Sequence, residues 1–143
     1  MVNIYELKKK QRAFYKSIVS VFCPILNDTV YFTSEGFNHL LYDRSNRKPR
    51  KISEQFMKLA CLTHAPLVIQ KCTFISETRL IERIVKKKRK SGIHYGLVYE
   101  VSPRVKIRVI VEKIGTGKHK FLSVMRHSHN RKSKTKSTLK GAL

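Results

Sequence analysis

The apolar positions change period near the middle of the chain. In the first part Ile4, Leu7, Phe14, Ile18, Val21 and Phe22 recur mostly at three-, four- and seven-residue intervals, with the polar residues 8–12 on the outer side. That spacing predicts an amphipathic helix ending before Cys23-Pro24, since a residue preceding proline is steered away from helical geometry. Asn27-Asp28 reads as a turn and Val30-Tyr31-Phe32-Thr33 as a short β-prone run. A second helix starts at Thr33-Ser34-Glu35 and carries Phe37, Leu40 and Leu41 on one side. Residues 43–51 form a loop containing Pro49. Ser53 is the expected N-cap of a third helix, with Glu54 in its first turn and Phe56, Leu59, Ala60 and Thr63 on its inner side. Ala65-Pro66 breaks that helix. Leu67-Val68-Ile69 leaves its state open, a last helical turn being one option.

The second half alternates. Ile93, Tyr95, Leu97, Tyr99 and Val101 fall on every other position, as do Val105, Ile107, Val109 and Val111. With Ser102-Pro103-Arg104 between them, the two runs predict a hairpin. Gly115-Thr116-Gly117 is the next turn and residues 121–125 the next strand. Residues 78–86 suit a helix through Leu80, Ile81, Ile84 and Val85, or an edge strand through Ile81, Arg83 and Val85. The strand is favoured, with Lys90-Ser91-Gly92 as its turn. The fold class is therefore α+β, with N-terminal helices packed on a three- to four-stranded antiparallel β-meander. If Val105, Ile107, Val109 and Val111 face the helices, then Lys106, Arg108 and Glu112 face away. That would give the sheet a basic second face, a natural platform for a phosphate backbone. Tyr95 and Tyr99 alternate with Leu97 and read as core residues.

Charge changes this picture more than composition does. The chain has 143 residues with 31 Lys plus Arg against 9 Asp plus Glu, a formal net charge of +22. Length suits one domain over residues 1–128, and the basic, Ser/Thr-rich stretch 129–143 reads as a disordered tail. Such a charge attracts polyanions, and RNA, with DNA second, is the expected partner. No apolar run is long enough to span a membrane, and the first residues have no apolar signal core. Three cysteines leave one without a mate, so they read as reduced thiols of a cytoplasmic protein. Cation runs at Arg44, Arg47, Lys48, Arg50 and Lys51, and at Lys86, Lys87, Lys88, Arg89 and Lys90, together with Lys106, are the candidate nucleic-acid contacts.

Catalytic options are narrow. Cys61-x-x-His64 with distant Cys23 and Cys72 is a poor zinc pattern, and small buried thiols are the better reading. Nine scattered acids do not suggest paired-carboxylate metal chemistry, so no metal and no cofactor is expected. Cleavage of RNA by its own 2′-hydroxyl needs only a proton acceptor, a proton donor and cations on the phosphate. His39 is the most interesting acceptor, on a short helix that runs straight into a basic loop.

The stretch Cys23-Pro24 to Leu40, with Val30-Tyr31-Phe32-Thr33-Ser34-Glu35-Gly36-Phe37-Asn38-His39-Leu40 at its end, leads into an Arg/Lys loop, a helix and a basic meander. By element order this resembles the small toxin-like and phage-borne nucleases of the Barnase–EndoU–colicin–RelE (BECR) superfamily, with the sharp similarity confined to residues 32–41. The resemblance implies a metal-independent endoribonuclease of toxin type, often held by an acidic antitoxin or immunity protein. It implies that His39 is the helix-borne catalytic histidine and Arg108 the strand cation. Ser123 would be a strand hydroxyl, and Arg126 or His127 would close the site. The alternatives are a non-catalytic RNA- or DNA-binding protein and a ribonucleoprotein component.

Overall fold

The computed structural model describes residues 3–44 and 47–128. The predicted tail, 129–143, lies outside the described residues. The elements are α1 (Ile4–Ile18), β1 (Ser20–Cys23), β2 (Asp28–Tyr31), α2 (Ser34–Leu41), α3 (Ile52–Leu62), α4 (Ala65–Lys71), β3 (Ile75–Val85), β4 (Lys88–Ser102), β5 (Val105–Ile114) and β6 (His119–Arg126). The class is α+β, as expected, but the sheet is larger and mixed, with strand order β1-β2-β6-β5-β4-β3. Four of its strands, β3 to β6, form the antiparallel meander. The other two form a hairpin whose second strand runs parallel to β6 through only two residue pairs, Val30↔His119 and Tyr31↔Lys120. So short a parallel pairing leaves no periodic signature.

The first helix stops earlier than its spacing suggests. It is started by Asn3, whose side chain accepts the Glu6 N–H at 2.9 Å, and it ends at Ile18. Val19 then takes φ 60 and the chain turns into β1. Val21 and Phe22, which extend the helical spacing, sit in a strand, where β-branched and aromatic residues also fit. The third helix begins at Ile52 after Lys51, so Ser53 lies inside the first turn and caps nothing. Leu67-Val68-Ile69 belongs to α4, with Pro66 at its start, where the missing N–H costs no hydrogen bond. Residues 78–86 are strand up to Val85, but Lys90-Ser91-Gly92 is not the turn. The reversal is made by Lys86 and Lys87, and β4 already runs from Lys88.

The helices cover one side of the sheet around Leu40, Leu59, Leu62, Val68, Ile69, Leu97, Ile107, Val109, Val111, Phe121 and Val124, none more than 1% exposed. Tyr95 and Tyr99 pack against this core, as their alternation predicts. Phe121 and Val124 are three apart on β6 yet both face the core. A register shift between the Val111 and Ile110 pairings absorbs the odd residue as a bulge. On α1, Gln11 is 4% exposed and donates to Leu59 O at 2.6 Å and Thr63 Oγ1 at 3.1 Å, tying α1 to α3. Tyr15 stacks edge-on against Phe32 and Phe37 at 5.5 and 5.3 Å, and Phe32 lies flat on Phe121 at 4.8 Å.

Gly36 lets α2 press onto this cluster. A β-carbon there would collide with the Tyr15 hydroxyl and stand 2.6 Å from the Phe121 carbonyl oxygen. Alanine normally gains up to ~1 kcal/mol over glycine in a helix. Gly36→Ala is nonetheless expected to lose about 1–3 kcal/mol, because one of the obstructing atoms is backbone. Urea denaturation measures it, and an unchanged or raised midpoint would refute the close packing.

Candidate functional site

Helix α2 and the loop after it form one wall of an open cavity of about 580 Å³ lined by Glu35, Asn38, His39, Tyr42, Asp43, Arg44, Arg47 and Arg83. The short helix turns Phe37, Leu40 and Leu41 inward and leaves His39 half-buried at the cavity edge. Behind it, Arg50 donates through Nε to the His39 carbonyl at 2.9 Å and places Nη2 3.5 Å from Nδ1. A guanidinium can only donate, so Nδ1 is the acceptor nitrogen here. Burial first, then the charges of Arg50, Arg44 and Lys58, push His39 down to about 4 against a weaker upward pull from Glu112. The imidazole is therefore neutral at physiological pH.

The pocket's far side rests on a carboxylate that carries three cationic or basic partners. Glu112 on β5 is only 3% exposed. It accepts from Arg44 at 2.9 Å, Arg83 at 2.8 Å and His94 Nε2 at 2.8 Å. Burial raises the Glu112 carboxyl, but the hydrogen bonds from His94 and Arg44 and the charges of Arg44 and Arg83 outweigh it and hold the group at about 2. Glu35 on α2 bridges the same two arginines at 3.0 and 3.3 Å. Four elements thus meet: α2 with its following loop, β3, β4 and β5.

Beneath His39 is a buried lysine. Lys58 on α3 is 5% exposed and its Nζ donates to Ser123 Oγ at 3.0 Å. Burial and the nearby Arg50 push it down to about 8. The unfolded chain therefore holds a proton that the folded chain lacks between about pH 8 and the ordinary lysine range, so stability rises with pH through that window. Lys58→Met is expected to raise the melting temperature at about pH 7, and the gain should shrink toward about pH 9.5. A gain that does not change with pH would show that packing, not charge, sets it.

The sequence-predicted catalytic residues do not all converge. His39 lines the pocket, and Ser123 lies behind it through Lys58. Arg108 does not line the pocket: it shares the Glu112 side of β5 but stands four residues away, roughly 13 Å at strand rise, where it pairs with Glu77. Arg126 is in register with Ile107 and lines a separate groove with Met57 and Cys61 on α3 and with His64 just before α4. His127 follows it, its N–H bonded to Lys106 O at 2.9 Å. Lys106 and Glu112 are six residues apart on β5, roughly 20 Å at strand rise. Arg126 and His127 therefore sit at the other end of the sheet.

The candidate nucleic-acid contacts divide in the same way. Arg44 and Arg47 line the pocket, and Arg50 braces His39 while pairing with Glu54 at 3.2 Å. Lys48 and Lys51 are exposed beside it, and Lys51 precedes α3. Lys86, Lys87, Lys88, Arg89 and Lys90 are all exposed at the tip of the β3–β4 hairpin. Lys106 stands opposite Glu100. The second face is basic only in part, because Arg108 is matched by Glu77 and Arg83 by Glu112, while Val98 and Leu122 are buried.

Sequence reasoning missed Arg83, His94, Lys58 and the role of Glu112. The detectable signal was charge in the wrong place: an acid and a histidine in two strands that pair, and a lysine on the inner side of a helix. Among the described residues no three of His, Cys, Asp and Glu gather where they could hold a metal ion, and no helix is long and apolar enough to cross a membrane. Comparison with family models, curated proteins and solved structures returns no match for this chain.

Proposed function

We propose that this chain is an endoribonuclease of toxin type that cuts RNA in the His39 pocket by attack of a 2′-hydroxyl on the adjacent phosphodiester. The observation that carries the reading is a neutral histidine at the edge of an open cavity, in the company of Arg44, Arg47 and Arg83. His39 takes the 2′-hydroxyl proton, and the guanidinium groups stabilise charge gathering on the phosphoryl oxygens. The new O–P bond closes a 2′,3′-cyclic phosphate. The 5′-oxygen leaves and takes its proton from water in the open pocket. The resemblance of residues 32–41 to BECR nucleases supports the same reaction, with Arg44, Arg47 and Arg83 serving in place of Arg108, Arg126 and His127. An acidic antitoxin-like partner would suit the net charge of +22.

The test is total RNA incubated in EDTA with wild type and His39→Ala. Cleavage by wild type alone is expected. Equal cleavage by both, or none by either, overturns the assignment. One observation favours a second reading, binding without cleavage: Arg44 and Arg83 already hold carboxylates. In that case RNA affinity would fall steeply with salt and barely change in His39→Ala.

A further inference from the structure

The β3–β4 hairpin outruns the rest of the sheet. The last residue of β5, Ile114, pairs with Gly92, and Gly115 N–H closes on Ser91 O at 2.8 Å. Beyond that point four pairs, Glu82↔Ser91, Arg83↔Lys90, Ile84↔Arg89 and Val85↔Lys88, have no third strand beside them. They project roughly 13 Å. Residues 82–91 carry six cations and one acid, Glu82, which pairs with Arg89 at 3.4 Å.

We infer that this ribbon extends the His39 pocket and holds the RNA strand to one side of the cut, so that the substrate is a polymer rather than a dinucleotide. Arg83 joins the two regions. It lines the pocket, and Lys90 stands directly across the ladder from it. Directly paired residues share a face and so do residues two apart, which puts Lys90 and Lys88 on Arg83's side. The track then continues into Lys86 and Lys87 at the tip. At a rise of about 3.4 Å per stacked nucleotide, it has room for about four phosphates.

The turn itself points to a role for those charges. Lys86 and Lys87 take φ 52 and 67. Two-residue hairpin turns of this kind are least strained with Asn-Gly, and lysine there carries a conformational cost. Such cost is concentrated where a backbone serves function rather than stability. Here it holds two ammonium groups at the far end of the track.

The inference rests on the ribonuclease reading for events in the pocket, but not for the RNA held along the ribbon. The test variant combines Lys86→Asn, Lys87→Gly, Lys88→Thr and Lys90→Thr, which suit the turn and the strand and remove four cations. Binding is measured on labelled poly(U) in a His39→Ala background, so that cleavage does not interfere. The slope of log affinity against log salt should fall by about 2–3, at roughly 0.7 for each single-strand phosphate the variant no longer neutralises. In the wild-type background, kcat/KM on poly(U) should drop about tenfold or more, while a dinucleoside phosphate is cut as before. A reduced slope with no cleavage by any protein would support the ribbon while rejecting the pocket reading. An unchanged slope overturns the inference, as does equal loss on both substrates. So does a self-associated protein that the four changes dissociate, because the exposed Leu80 and Ile84 on the ribbon's other face would then belong to a second copy.

Discussion

RNA cleavage is expected to fall by about 10²–10⁴-fold in His39→Ala, the usual worth of a positioned proton acceptor. The fold should survive, because His39 is half-buried at a cavity edge and contributes little to the core. The pH profile separates this site from an ordinary histidine. Burial, Arg50, Arg44 and Lys58 hold His39 at about 4 in the free protein. Because kcat/KM reports free-protein ionisations, it should climb around pH 4 and be flat through neutrality. An inflection near the ordinary histidine value would mean that the imidazole is not held among these cations. The profile of kcat should lie at higher pH, since a bound phosphate offsets the arginine charges.

Glu112→Gln is expected to cost about 3 kcal/mol of unfolding free energy, the lower end of what removing one partner from a buried ion cluster costs. The lower end applies because Arg44 and Arg83 are each a little over one quarter exposed, keep Glu35, and can turn partly to water. Glutamine keeps the size of the side chain, so the loss reports charge and hydrogen bonding rather than a cavity. The sign with pH follows from a folded value of about 2, below the ordinary glutamate range. The stabilisation is complete above that range and disappears as pH falls toward 2, so wild type and variant should converge in acid. Urea titration at neutral pH and in acid measures both. A neutral-pH loss under about 1 kcal/mol would place Glu112 among ordinary surface ion pairs such as Arg89–Glu82.

The parts legible in the sequence were those set by a repeating local period. The alternation of Tyr95, Leu97 and Tyr99 against Val105, Ile107 and Val109 gives β4 and β5, and the spacing of Phe37, Leu40 and Leu41 gives α2 with His39 at its surface. Val21 and Phe22 fit two periods, so local spacing alone extends α1 into β1. Long-range pairing has no local trace, and here it decides the site. Glu112 meets Arg44 across 68 positions and Arg83 across 29. Arg108 and Arg126 differ in parity on paired antiparallel strands, Arg108 facing Met125 and Arg126 facing Ile107, so this register keeps them off a common face. The bulge in β6 has the same effect on Ser123, which turns toward Lys58 through a break in alternation.

The pairing of Val30 with His119 sets an order of events in synthesis. The β1–β2 hairpin leaves the ribosome early, and its partner edge on β6 is made 89 residues later. At roughly 5–20 residues per second that is a wait of about 5–20 s. The meander needs only neighbouring strands and can form without the hairpin, whereas β2 must close a long loop to find its place. Glu112, which anchors Arg44 and Arg83 at the His39 pocket, is likewise made well after His39. The histidine and Arg44 are therefore made well before the carboxylate that gathers Arg44 and Arg83 beside them, and the pocket is finished only after β5 has been made.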